Sequence, residues 1–397
     1  MAGGIHVSLP VDATAVLAGR VWDPTVAGPS VVAVRDGAIL DLSATFPTMR
    51  DLVEQPDPAQ ALTDATGPSL GSLADIYANT PEDARDPAKP WLLSPIDLQV
   101  VKAAGVTFPV SMLERVIEEK ARGDADAAAP IRQRILAQLG GELGNLVPGS
   151  PEAAKLKEYL IAEGMWSQYL EVGIGPDAEI FTKAPVLATV GPAVQVGVRE
   201  DSEWNNPEPE VVLVIASSGS IVGAALGNDV NLRDIEGRSA LLLGEAKDNT
   251  ASASVGPFIR FFGAGFGLDE LRAETVSLRV EGADGFVLEG TSPLAQISRD
   301  PADLVAQALA HHQYPDGFVL YLGTMFAPGE DRDEPGRGFT HHVGDVVTIS
   351  SPRLGALVNR VARTGDVEPW TFGAVALFAG LARRGLLGAM HVKEGAR

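Results

Sequence analysis

The chain has 397 residues, of which 45% are hydrophobic and 21% charged, the balance of a soluble globular protein long enough for two domains. With 31 Lys and Arg against 52 Asp and Glu, its formal net charge is −21, so it lacks the basic footprint that nucleic acid or an anionic membrane requires. The absence of cysteine excludes disulfides, thiolate metal sites and cysteine nucleophiles.

No apolar stretch approaches the roughly 18 residues of a membrane span. The start, Met1-Ala2-Gly3-Gly4-Ile5-His6, lacks a basic region followed by an apolar one, so no signal peptide is read and a cytoplasmic location is the expectation. Residues 1 to about 50 alternate β-like runs, Val31-Val32-Ala33-Val34 and Ala38-Ile39-Leu40, with turn residues, and suggest a small β-rich unit. Residues 54–90 are rich in Pro, Asp, Ala and Thr and read as a linker or loose wrap, which divides the chain into a small domain over 1–90 and a larger one over 91–397. Val110 to Arg122 has apolar residues at Val110, Leu113, Val116 and Ile117, which is helical spacing. Asp126 to Leu139, with Asp126 as N-cap, and Pro151 to Glu163, with Ser150 as N-cap, read as further helices. From Val186 onward short β-runs dominate, interrupted by one helix around Ala302 to His311.

Gly173-x-Gly175 and Gly263-x-Gly265-x-Gly267 lack the strand-turn-helix context of a dinucleotide fingerprint and read as turns. The adjacent pairs His311-His312 and His341-His342 read as surface or loop histidines, because neighbours do not face one way on a helix or strand.

The segment from Asn206 to Asp229 carries the chemistry. Glu208 and Glu210 precede an apolar β-branched run, Ser217-Ser218-Gly219-Ser220 supplies a turn, and a second apolar run ends in Asp229. With Ser218 and Gly219 as the central turn residues, Glu208 lies opposite Asp229 and Glu210 opposite Gly227. Residues two apart on a strand share a face, so three carboxylates converge at the open end of one hairpin. Like charges that close do not all stay ionised without a counter-charge. A hard divalent cation with oxygen ligands, Mg²⁺ or in its place Mn²⁺, is one solution. Solvated acids at a strand edge are the other.

The E-x-E of Glu208 and Glu210, the N-D-x-x-x-R-D from Asn228 to Asp234, and Lys247 nine residues before Gly256-Pro257 resemble the fumarylacetoacetate hydrolase superfamily. Gly323-Thr324 stands where that family has a T-G-T-P loop, and Gly344-Asp345 with Leu354-Gly355-Ala356-Leu357-Val358-Asn359 is similar to its closing strands. The resemblance covers roughly residues 95–385. It implies an α+β, mainly β fold: a fumarylacetoacetate hydrolase-like mixed β-roll with peripheral helices behind the small β-rich N-terminal domain. It also implies Glu208, Glu210 and Asp229 as metal ligands and a homodimer or homotetramer.

Gly105 to Glu114 resembles the family segment G-x-N-Y-x-x-H-x-x-E, whose His and Glu activate water in the hydrolases. Here Ser111 replaces the histidine, and a serine is no general base near neutral pH without help. Ser111-x-x-Glu114 is also a capping-box pattern, which can fix a helix start while Glu114 points into the site. The stretches Trp166 to Lys183 and Gly323 to Pro328 look like the sugar-acid dehydratase branch of the family. That branch converts 2-keto-3-deoxy-D-pentonates into 2,5-dioxopentanoate, so a small anionic 2-keto acid is the implied substrate. The rival in the same fold is an acylpyruvate or diketo acid hydrolase or decarboxylase. The resemblance makes Lys247 either a proton carrier or a counter-charge and Glu114 an acid/base at C4 or C5. Thr324 becomes a donor to the substrate carboxylate, Arg233 a holder of that carboxylate or of Asp229, and Lys183 a supporting residue. Glu236 stands where many relatives carry Gln.

Overall fold

Alternation of side chains along the strand Pro209–Ile215 sets the architecture: Val211, Leu213 and Ile215 face one apolar core, and Val212 and Val214 face another. A strand buried on both faces needs a layer on each side, and the fold supplies one. The computed structural model describes residues 8–390 except 123, 125–126, 129, 132, 134–145, 163, 165, 327, 329 and 336, so most of the helix expected over 126–139 lies outside the described residues.

The large sheet has eleven strands: β1 (Leu17–Asp23), β2 (Gly28–Arg35), β3 (Ala38–Asp41), β4 (Ser69–Ser72), β5 (Trp91–Leu93), β6 (Val100–Gly105), β7 (Glu179–Ala184), β10 (Pro209–Ile215), β11 (Ile221–Asp229), β13 (Ala253–Phe261) and β16 (Phe318–Tyr321). Its order is β4-β3-β2-β1-β13-β11-β10-β16-β6-β7, with β5 paired to β1. A second sheet of five strands runs β15 (Val287–Pro293), β14 (Thr275–Glu281), β17 (Val346–Ser351), β18 (Gly355–Arg363) and β8 (Gln195–Val198). Two short strands, β9 (Asn205–Asn206) and β12 (Asn231–Leu232), pair beside them. The main core forms between the two sheets, where Val211, Leu213 and Leu226 meet Leu278, Ile349 and Leu357.

Residues 54–90, expected as a linker or loose wrap, hold α2 (Pro58–Asp64), β4 and α3 (Leu73–Ala78), following α1 (Met49–Val53). Leu62, Leu73, Ile76 and Tyr77 are buried, and this sparse apolar set was obscured by the Pro and Asp around it. Gly173 lies inside the helix Gln168–Ile174 rather than in a turn.

Three helices pack together next to Val106, just beyond β6: α4 (Pro109–Ala121), α5 (Pro151–Ala162) and α6 (Gln168–Ile174). Met112, Leu113, Val116 and Ile117 of α4 pack on Leu160, Tyr169 and Leu170, while Val110 stays half exposed. The Ser111–Glu114 capping box is not formed. The N-cap is Phe108, Pro109 takes the first turn, and Ser111 Oγ donates back to the Phe108 carbonyl at 3.0 Å. Pro at that position already removes an orphan donor and presets φ, so the cap is dispensable. Ser150 does cap α5, its Oγ accepting from Ala153 N at 3.1 Å.

The β10–β11 register pairs Pro209 with Asn228 and Glu210 with Gly227, as the sequence reading expects, though by a different turn. The loop is one residue longer, with Ala216 N bonded to Ser220 O at 3.0 Å and Gly219 at φ 88. A bulge between Val214 and Ile215 absorbs the extra residue before the acids are reached. A Cβ on Gly227 would collide with Tyr321 and Val212, so Gly227→Ala should cost about 1–3 kcal/mol by overpacking. A lowered thermal midpoint checks this, and a midpoint unchanged from wild type would show that the pocket relaxes freely.

Candidate metal centre

The site lies where strands of both directions end together. β16 and β6 run parallel and β10 antiparallel to them, so the C-terminal ends of β6, β16 and β11 meet the N-terminal ends of β10 and β13. Asp229 N donates to Glu208 O at 3.1 Å, which continues the hairpin ladder past Pro209. One oxygen from each of Glu208, Glu210 and Asp229 lies within 4.8 Å of the others, and all three side chains are buried. Two further elements close on them. α8 (Leu243–Lys247) brings Lys247, and the loop after β16 brings Gly323, whose N–H donates to Glu210 Oε2 at 2.7 Å. Gly323 has φ 83, and a Cβ there would strike Thr107, so only glycine presents its amide this way.

The carboxylates are embedded in cations. Glu208 holds Arg115 at 2.5 Å on one oxygen and Lys247 Nζ at 2.5 Å on the other. Asp229 holds Lys183 at 2.8 Å and Lys247 at 3.3 Å. Lys183 is the extra residue of a bulge in β7, between the partners of Val101 and Lys102, which turns its side chain toward Asp229. Arg115 also contacts Glu118 at 2.7 Å and Glu236 at 2.9 Å. Arg233, on α7 (Arg233–Glu236), pairs with Glu118 at 2.7 Å and Glu114 at 3.3 Å and lies over the Trp204 ring.

Burial and these neighbours pull the ionisations apart. Burial, together with Asp229 and Glu208, pushes Glu210 well above the carboxylate range. Asp229 stays below it because Lys183 and Lys247 outweigh its burial. Burial favours the neutral form of Lys247, but Asp229, Glu208 and Glu236 overcome it and hold the ammonium charged. Lys183 is pushed down by burial. Burial raises Glu236 to about 7, a rise that Arg115 only partly offsets.

That shift gives a signed pH effect. Glu236 ionises near 4.5 in the unfolded chain and near 7 when folded, so stability falls as pH rises through that window and levels off above it. The loss amounts to about 3 kcal/mol for one group. Glu236→Gln should therefore flatten the stability profile between pH 5 and 7.5 in chelator, read by urea unfolding (about two pH units spanning the shift). An unchanged slope would assign the profile to other groups.

The structure brings together most of the residues singled out from sequence. Ser111, Glu114, Glu208, Arg233 and Thr324 line one small cavity of ≈ 20 Å³. Ser111, Glu208, Glu210, Asp229, Lys247 and Thr324 line an adjoining one of the same size. Lys183 lines neither and acts from behind Asp229. Arg233 does not reach Asp229 and orients Glu114 and Glu118 instead. Sequence reasoning missed Arg115 and Glu118, although Ser111, Glu114, Arg115 and Glu118 fall at the i, i+3, i+4, i+7 positions of one helix face. Reading the polar as well as the apolar period of α4 finds them. His341, read as a surface or loop histidine, lies in a loop but is buried, with Nδ1 at 3.4 Å from Asp345, which Arg332 also grips at 2.5 Å. This motif of Gly344-Asp345 clamps the loop that follows Thr324.

An all-oxygen donor set suits a hard cation such as Mg²⁺. The protein groups alone leave Glu210 strained toward protonation, a cost that a divalent cation removes. Both Glu208 oxygens are already committed, so such an ion would compete with the Lys247 ammonium for Glu208 and Asp229. Asn231 lines the first small cavity, and its buried Oδ1 has no partner among the described residues.

Residues 175–362 match the family described as fumarylacetoacetate (FAA) hydrolase C-terminal. A protein of Haloferax volcanii named probable 2-keto-3-deoxyxylonate dehydratase is 26% identical over 334 residues, which are 83% of this chain and 94% of that one. The 2-dehydro-3-deoxy-D-arabinonate dehydratase of Saccharolobus solfataricus is 29% identical over 191 residues, 47% of this chain and 59% of that protein. Among solved structures, 2-keto-3-deoxy-D-arabinonate dehydratase complexed with magnesium and 2,5-dioxopentanoate has a TM-score of 0.60 at 20% identity, over 88% of this chain and 99% of that one. The mainly β fold with peripheral helices expected from the sequence is the one these proteins share. Among the described residues, no helix is long and apolar enough to cross a membrane.

Proposed function

We propose, on the premise that residues 175–362 form a fumarylacetoacetate hydrolase C-terminal domain, that the protein is a metal-dependent hydro-lyase converting a 2-keto-3-deoxy-D-pentonate to 2,5-dioxopentanoate. The observation that carries this reading is the buried triad of Glu208, Glu210 and Asp229 beside a helix face that offers Ser111, not a base, to the reacting carbon chain. The two dehydratase relatives support the same reaction class.

A divalent cation held by the triad supplies Lewis-acid stabilisation of negative charge on a bound 2-keto acid. Everything else falls to side chains. Lys247 Nζ borders the triad, and with Glu208 and Asp229 committed to a cation its burial would favour the neutral amine, which takes the proton from C3. Glu114, held by Arg233 at 3.3 Å, donates a proton to the departing 4-hydroxyl, which leaves as water. The ionised carboxylate then takes a proton from C5. Proton return at C3 leaves a C4–C5 enol, and its protonation at C4 gives the aldehyde. Thr324 Oγ1, buried at the cavity wall, hydrogen-bonds the substrate carboxylate, and Asn231 Oδ1 accepts from a substrate hydroxyl. Arg115, Arg233 and Lys247 give the pocket the cationic lining that an anionic substrate needs in a chain of net charge −21.

Purified protein with Mg²⁺ and 2-keto-3-deoxy-D-xylonate or the arabinonate epimer, followed by NMR, should yield the aldehyde product. Ser111→His should leave dehydration no faster, since elimination needs no external water. Rapid cleavage of acylpyruvates by the wild type, with no action on either pentonate, would replace this reading with the hydrolase alternative.

A further inference from the structure

A separate cavity of ≈ 370 Å³ lies between β1, β5, the 187–195 loop and the segment 367–372 that leads into the helix Ala374–Arg383, away from the acid triad. That volume lies within the range of small-molecule sites. Its walls are aromatic. Trp22, Trp91 and Trp370 line it with Phe372, so three of the chain's 5 tryptophans meet at one place. Trp22 stacks on Trp91 at 5.7 Å and meets Phe372 edge-on at 5.4 Å, which fixes two walls at a right angle.

The charges around this cavity are unequally committed. At the rim, Arg85 lies over Trp91, pairs with Glu368 at 2.9 Å and donates to the Thr80 carbonyl at 2.7 Å. Glu82 accepts from Gln195 N at 2.9 Å. The floor is different. Arg20 lines the cavity with only 5% of its surface exposed. Its Nη1 donates to the carbonyls of Ser94 at 3.3 Å and Ile96 at 2.6 Å, and its Nε stands 3.8 Å from Asp97. Asp97 is itself occupied by the amides of Met49 at 2.6 Å, Leu98 at 2.7 Å and Arg50 at 3.1 Å. Nη2 of Arg20 has no acceptor among the described residues. Burial drives Arg20 below the usual arginine value, and Asp97 does not restore it. A buried guanidinium with an open edge favours an anionic acceptor, and Arg presents a planar fork suited to carboxylate. Ser94 and Thr189, hydroxyl to hydroxyl at 2.7 Å on the same wall, offer a further donor.

We propose that this cavity is a second ligand site, for a small organic acid whose planar apolar body fits between the aromatic walls and whose carboxylate reaches Arg20 and the Ser94–Thr189 pair. The aromatic walls alone would also attract a cation. The open hydrogen-bonding edge at the floor belongs to a cation, Arg20, and that selects the acid.

The test is calorimetric and fluorescence titration of the full chain in EDTA with 3-phenylpropionate, 3-phenylpropanamide and 2-phenylethylamine. The two cavities at the acid triad, ≈ 20 Å³ each, are too small for a phenyl ring, so they do not mask the result. The acid should bind saturably, quench tryptophan fluorescence and bind about tenfold tighter than the amide, the size of one charged hydrogen bond. Trp370→Ala, at a half-exposed position that leaves the fold intact, should weaken the acid several-fold. Arg20→Gln should abolish the preference for acid over amide. Tighter binding of the amine, equal binding of acid and amide, no saturation at millimolar concentration, or indifference to Trp370→Ala would each overturn the proposal.

Discussion

Replacing Lys247 by Met is expected to lower turnover by about 10²–10⁴-fold, the range of a lost general acid–base group, while Mg²⁺ binds as tightly as before or tighter. The ammonium lies 2.5 Å from Glu208 and 3.3 Å from Asp229, two of the three carboxylates proposed to hold the metal. Before the ion binds, the lysine is its competitor. Removing it frees two ligands and leaves them mutually repelling, which raises the gain from any cation. Steady-state kinetics and calorimetry with Mg²⁺ separate the two effects. Near-normal turnover in the variant would reduce Lys247 to a counter-charge.

Substitution of the triad itself acts in the opposite way. Asp229→Asn or Glu210→Gln should abolish both turnover and the thermal stabilisation that Mg²⁺ confers. For wild type at a hundred times the dissociation constant, that stabilisation is about 2.7 kcal/mol. Glu114→Gln is the control, because Glu114 faces the substrate cavity and contacts Arg233 rather than the triad. It should lose turnover and keep the Mg²⁺-dependent shift in melting temperature. A triad variant that still melted higher with Mg²⁺ would move the metal elsewhere.

The convergence of the three acids was legible because it depends only on strand alternation and one register, and a compensating bulge preserved that register although the turn differed. Residues 54–90 were misread because their helices rest on a few apolar side chains, Leu62, Leu73 and Ile76, set among Pro and Asp. Arg115 escaped because helical periodicity was applied to the apolar residues of α4 alone, whereas its polar face builds half of the ion network. The placement of Lys183 depends on a bulge in β7, and no local residue signal marks it. His341 was read as a surface or loop histidine because adjacent residues do not face one way on a helix or strand. It does lie in a loop, but a local turn brings it onto Asp345, four residues on, and the Arg332 grip on that carboxylate buries the pair.

The way β1 shares its outer edge bears on how the chain is made. Leu17 and Ala18 pair with Arg260 and Ile259 of β13, while Arg20, Val21 and Trp22 pair with β5. A ribosome adding 5–20 residues per second needs roughly 12–50 s after β1 emerges before β13 exists to meet it. Through that interval an open strand edge invites pairing with other nascent chains. β5 emerges only seconds after β1 on the same estimate and covers three of the five edge residues. It serves as a guard for the growing chain, and weakening the β1–β5 pairing should reduce the yield of soluble product during synthesis more than it lowers the stability of protein already folded.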